Sequence, residues 1–121
     1  MTDFSGVIPV RSLKICINGD KWTINVYSKQ DYESVDKNAR GECLSEIKTV
    51  VFNHGNLNKE LILHEISHTY FDYLCLSTTS DIKLDDAEEI FCDFISKYIV
   101  KINRTVNIIN RKLKDLYKQP E

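Results

Sequence analysis

The sequence predicts an α+β domain in which a small N-terminal β-sheet, a hairpin plus an edge strand, packs on one internal helix and one or two C-terminal helices. Three observations carry this. Leu13–Ile17 and Trp22–Tyr27 each alternate apolar and polar residues around Asn18-Gly19-Asp20. A stretch from about Leu57 to Cys75 is rich in apolar residues and free of Gly and Pro. A second such pattern starts at Leu84 and has no internal breaker.

Residues 1–12 contain Gly6 and Pro9 and read as an irregular or edge segment leading into the first strand. The hairpin follows, because Asn-Gly supplies the positive φ values that a two-residue hairpin turn requires. Ser28 to Ala39 is polar, with Asp31, Tyr32, Val35 and Asp36 spaced for a short helix. Glu42 to Phe52 is rich in strand formers and is ended by Asn53-His54-Gly55-Asn56, so it is expected to form a third strand at the sheet edge, directly before the internal helix. Asn56 or Asn58 is the expected N-cap of that helix, with Glu60 in its first turn. Ser77 to Asp81 reads as a polar loop. The second helix places Ile90, Phe91, Phe94, Ile95, Tyr98, Ile99 and Ile102 on one broad face, and Val106, Ile109, Leu113 and Leu116 continue the spacing to Tyr117 as a third helix or an extension of the second.

With 121 residues the chain is expected to be a single domain, 1–121, long enough for a core but too short for elaborate substrate domains. A formal net charge of −2 carries no nucleic-acid signature, although the segment from Lys97 onward is basic. No apolar run approaches the length of a membrane span, and Met-Thr-Asp-Phe-Ser-Gly does not begin like a secretory signal, so a cytoplasmic location is expected. Cys16, Cys43, Cys75 and Cys92 are scattered without a Cys-x-x-Cys pair and read as reduced thiols.

The chemistry is concentrated in His64-Glu65-Ile66-Ser67-His68. On a helix, residues four apart share a face, so both imidazoles can meet one ion while Glu65 leans toward the same pocket. Two imidazoles suit Zn²⁺, and a catalytic zinc takes a third protein ligand and leaves a position for water, whose pKa it lowers toward ~7. The motif reads as ligand, base, ligand: His64 and His68 for the metal, one Zn²⁺ per chain, and Glu65 to take a proton from that water. Neighbouring Leu61, Ile62, Leu63, Ile66, Tyr70 and Phe71 predict that this helix, histidines included, is largely buried.

A third histidine six residues after His68 is excluded, because that position is Leu74. His54 lies upstream, at a strand end. The second helix offers Glu88 or Glu89, and Glu89-x-x-x-Asp93 is the sharper pair: Glu89 as third ligand, with Asp93 one turn later accepting the N–H of a ligating imidazole. The apolar neighbours Ile90, Phe91, Phe94 and Ile95 predict that both acids are buried. His54, Tyr70, Tyr73 and Tyr98 are candidate donors to a developing oxyanion by chemistry alone, with Tyr70 facing the core.

His64-Glu65-x-x-His68 followed by Glu89-x-x-x-Asp93 resembles the gluzincin arrangement. More narrowly, Leu-His-Glu-Ile-Ser-His with Asp-Ala-Glu-Glu-Ile-Phe-Cys-Asp-Phe resembles the ImmA/IrrE-type metallopeptidases of bacteria, phages and mobile elements, over roughly residues 46–100. The resemblance implies a minimal zincin fold, zinc-dependent hydrolysis of peptide bonds in a specific protein substrate, and in some members cleavage of a regulatory protein. The chain departs from that pattern in carrying Thr69-Tyr70 after the second histidine and in lacking a separate helix-turn-helix domain. The alternative is a non-catalytic binding module or regulatory interaction protein of the same fold, for which the basic C-terminal helix would be the contact surface.

Overall fold

The computed structural model describes residues 3–73 and 84–118. The chain is α+β. Strands β1 (Arg11–Ile17) and β2 (Asp20–Tyr27) are followed by helix α1 (Lys29–Val35), strand β3 (Gly41–Leu44), a 3-10 turn at Ser45–Ile47, strand β4 (Thr49–Asn53), a second 3-10 turn at His54–Asn56, and helices α2 (Lys59–Tyr73) and α3 (Leu84–Lys118). The sheet order is β1-β2-β4-β3, with β2 and β4 parallel and the other two pairs antiparallel.

The hairpin forms as its turn chemistry dictates: Asn18 and Gly19 have φ of 52° and 84°, and Ile17 pairs with Asp20. The region expected to be one strand from Glu42 to Phe52 is instead two strands and a reversal. Leu44 pairs with Thr49 across Ser45–Lys48, where Lys48 adopts a left-handed φ of 51°. The strand that precedes the internal helix, β4, is therefore central, and the edge strand beside it is β3. Alternation divides the sheet residues between two cores. Trp22, Ile24, Val26, Val50 and Phe52 meet Leu61, Ile62, Ile66 and Tyr70 of α2 and Phe94, Ile102, Val106, Ile109 and Leu113 of α3. Tyr27 and Val51 belong to the other cluster, with Phe4 and Tyr32 of α1, where Phe4 stacks on Tyr27 at 4.5 Å.

Two alternatives left by the sequence are settled by these helices. Asn58 caps α2, its side-chain oxygen accepting from the Leu61 N–H at 2.8 Å. The C-terminal region is one 35-residue helix, since nothing between Leu84 and Lys118 breaks it. α3 runs back along α2: Phe94 stacks on Phe71 at 4.2 Å, and the Tyr70 hydroxyl lies 3.1 Å from Thr105 Oγ1. The expected loop at Ser77–Asp81 lies outside the described residues.

Candidate metal centre

Three potential ligand atoms converge on α2. Those of His64, Glu65 and His68 all lie within 4.8 Å of one another, with the imidazole centroids 5.1 Å apart and their planes at 79°. His64 Nε2 is 3.8 Å from Glu65 Oε2. Two ligands of one tetrahedral zinc at Zn–N distances of about 2.0–2.1 Å stand roughly 3.3 Å apart, so small side-chain rotations suffice for the pair to share an ion. The two imidazoles on one helix face fit zinc, with the Glu65 carboxylate beside them.

The helix places these groups in two different environments. Leu61, Ile62, Ile66 and Tyr70 form its buried stripe, and Glu65 and Thr69 flank that stripe toward the sheet, so the Glu65 residue is only 6% exposed. His64 and His68 sit one position further around the helix and are exposed, the His64 side chain by 67%. The expectation that the histidines are buried is thus corrected: Ile66, the one apolar residue between them, faces the other way. Burial pushes the Glu65 carboxyl above the ordinary value, while the neighbouring histidines pull it down, Glu42 adds to the rise and Arg40 opposes it.

The edge strand closes the site. A cleft of about 410 Å³ is lined by Gly41, Glu42, Cys43 and Ser45 from β3 and its following turn, and by His64, Glu65 and His68 from α2. The absence of a side chain at Gly41 sets the distance between strand and helix: a Cβ there would stand 3.3 Å from Glu65 Cγ and 3.1 Å from Phe52 Cδ1. The sequence marked Gly41 as the end of the preceding short helix and Cys43 as a strand thiol, and neither as part of the site. The signal available was a glycine opening a strand, which marks close approach of another group.

Glu89 and Asp93 are both exposed, and among the described residues neither joins the His64/Glu65/His68 group. Their expected burial is corrected for a periodic reason. The buried stripe of α3 runs through Phe94, Ile102, Val106, Ile109 and Leu113, and Glu89 and Asp93 lie off it, as does Phe91 at 56% exposure. Glu88 is exposed too. Of the candidate oxyanion donors, Tyr70 is buried against Thr105, and Tyr98 packs on Tyr70 and Phe94 with centroids 6.0 and 5.6 Å away. His54 lies beyond the N-terminal end of α2, 2.8 Å from an Arg11 nitrogen. None of these three lines the cleft, and the side chain of Tyr73 lies outside the described residues. Cys16 and Cys92 are free thiols, and Cys43 Sγ lies 3.7 Å from Ser45 Oγ.

No protein-family model, curated protein or solved structure matches this chain. The functional reading therefore rests on the residues and their geometry. Among the described residues, no helix is long and apolar enough to cross a membrane.

Proposed function

We propose that this chain is a zinc-dependent metallopeptidase acting on a specific protein or peptide substrate. The observation that carries the reading is the convergence of His64, Glu65 and His68 in a cleft walled by an edge strand. His64 and His68 would hold the metal; the third ligand expected from the sequence, Glu89 of α3, stands outside their group among the described residues and would have to be brought to the ion. Zinc in that position supplies Lewis acidity toward a carbonyl and makes water a stronger acid. Glu65 takes the proton of the attacking water and delivers it to the departing amine. Its position suits this task, because its carboxylate lines the same cleft as both histidines and lies within 4.8 Å of their ligand atoms. Among the described residues strand β3 pairs with β4 and lies at the sheet edge beside the cleft, the side on which an extended peptide would run past His64 and His68. The short edge favours a narrow substrate range over general digestion.

The second reading is a non-catalytic binding module that keeps the fold, and the exposed position of Glu89 away from the histidines favours it. Glu65→Gln separates the two. Hydrolysis of a quenched-fluorescence peptide library by the zinc-loaded chain is expected to fall by about 10²–10⁴-fold in this variant, the usual contribution of a positioned acid–base group. Hydrolysis that persists unchanged in Glu65→Gln, or none in the zinc-loaded wild type, rejects the peptidase reading.

A further inference from the structure

The cleft on α2 does not end at β3. Cys43 and Ser45, which line it, also line a second concavity of about 660 Å³. Leu44 and Ile47 give this concavity its apolar lining. Leu44 is half-buried against the cluster of Phe4, Tyr27, Tyr32 and Val51, whereas Ile47 is 66% exposed.

The rest of the wall comes from the far end of the sequence, where Asp3 and Ser5 reach the same space. That N-terminal segment is held in place. Phe4 is buried, its ring stacked on Tyr27 at 4.5 Å and tilted against Tyr32 at 5.1 Å. The Val7 N–H donates to the Phe4 carbonyl at 3.0 Å across a turn whose third residue, Gly6, has a φ of 81°, where glycine carries no steric penalty. The Asp3 carboxylate accepts from the Ser5 N–H at 2.8 Å. Two anchored elements distant in sequence thus form the concavity together.

Its place relative to the candidate reacting groups follows from the strand. Gly41 stands beside Glu65, and Leu44 lies three residues further along β3, about 10 Å away at roughly 3.3 Å per residue. An extended peptide beside β3 advances at the same rate, so a side chain reaching Leu44 and Ile47 belongs to a residue about three positions from the bond at Glu65. A large aliphatic side chain there takes the apolar surface of Leu44 and Ile47 out of water; a charged one would lose hydration for the same contact.

We propose that this concavity is a subsite for a leucine or isoleucine side chain of the bound peptide, about three residues from the scissile bond. The proposal rests on the reading that the α2 cleft takes an extended peptide.

The test is fluorescence anisotropy of dye-labelled, end-capped octapeptides in which one position at a time is fixed as Leu, Ala or Lys, titrated with the zinc-loaded Glu65→Gln chain. At one position Leu should bind about tenfold or more tighter than Ala or Lys. Adding Ile47→Ser should cut that ratio to about threefold or less. Adding Ile8→Ser, which removes an aliphatic residue 82% exposed and outside this lining, should leave the ratio unchanged. Both added substitutions are at exposed positions and should keep the urea midpoint. Mass spectrometry of products from the zinc-loaded wild type should place the cut about three residues from the selected Leu. Selection of Leu without any hydrolysis by the wild type rejects the peptidase reading and keeps the subsite as part of a peptide-binding module. The subsite is overturned if no position favours Leu, if Ile47→Ser selects as its parent does, if Ile8→Ser loses the selection as well, or if the cut falls at a bond flanking that Leu.

Discussion

Gly41→Ala probes the contact that holds Glu65 in place. A Cβ at this position would meet Phe52 Cδ1 at 3.1 Å, the Val51 carbonyl oxygen at 3.2 Å and Glu65 Cγ at 3.3 Å, each tighter than an ordinary carbon contact by a few tenths of an ångström. Phe52 is fully buried in the main core, and the Val51 carbonyl belongs to β4, the strand paired with β3. Neither yields easily. The Glu65 side chain, bounded on one side by the cleft, is the group that moves. Gly41 has no positive φ, so alanine brings no backbone strain and recovers roughly 0.4–1 kcal/mol by restricting the unfolded chain. Overpacking a tight site costs roughly 1–3 kcal/mol. The net expectation, read by urea denaturation, is a loss of about 0.5–2 kcal/mol. Because hydrolysis depends on the position of the carboxylate, kcat/KM should fall by about tenfold or more. Zinc affinity should stay within about twofold, since both histidines are solvent-facing and clear of the added methyl group. A Gly41→Ala chain with wild-type stability and full hydrolysis would refute the idea that β3 positions Glu65.

Three other perturbations separate structural from chemical roles. In the metal-free chain Glu65 has its folded pKa raised above the ordinary 4.5, so its contribution to stability is fully present below that value and is lost as pH rises through the folded pKa; with zinc removed by a chelator, the stability of Glu65→Gln relative to wild type should grow with pH across that window, and a flat difference would contradict the burial argument. Tyr32 is fully buried with no hydrogen-bond partner for its hydroxyl among the described residues, and burial, together with Glu42, Asp36 and Glu65, pushes its pKa far up. Tyr32→Phe is expected to stabilise the fold by about 1 kcal/mol in chemical denaturation, and a loss of stability would show that the hydroxyl is satisfied. Tyr70→Phe breaks the contact with Thr105 and should cost about 0.5–1.5 kcal/mol while leaving kcat unchanged; a drop in kcat would return Tyr70 to the reaction.

The sequence was most legible where local chemistry decides the outcome. Asn18-Gly19 set the hairpin, Asn58 set the start of α2, and the spacing of His64, Glu65 and His68 put three ligand atoms together. It was least legible where orientation depends on the neighbour. The strand-forming run from Cys43 to Phe52 conceals a reversal at Lys48, because β propensity does not say where a chain turns back on itself. Apolar content around His64 and His68 predicted burial, yet the core occupies only one stripe of α2, and the histidines fall outside it. The same error placed Glu89 and Asp93 in the interior: Ile90, Phe91, Phe94 and Ile95 span more of the helix than its partner covers. Gly41 carried a signal whose meaning appears only once Glu65 stands beside it.

Zinc stoichiometry of the purified chain, by elemental mass spectrometry, tests the central claim most directly. The account predicts about one zinc per chain in wild type and in Glu65→Gln, and a clear loss in His64→Ala, His68→Ala and Glu89→Ala. Retention in Glu89→Ala alone would remove Glu89 from the site and leave the histidine pair. A wild-type chain that binds no zinc even after resupply would contradict the metallopeptidase account altogether.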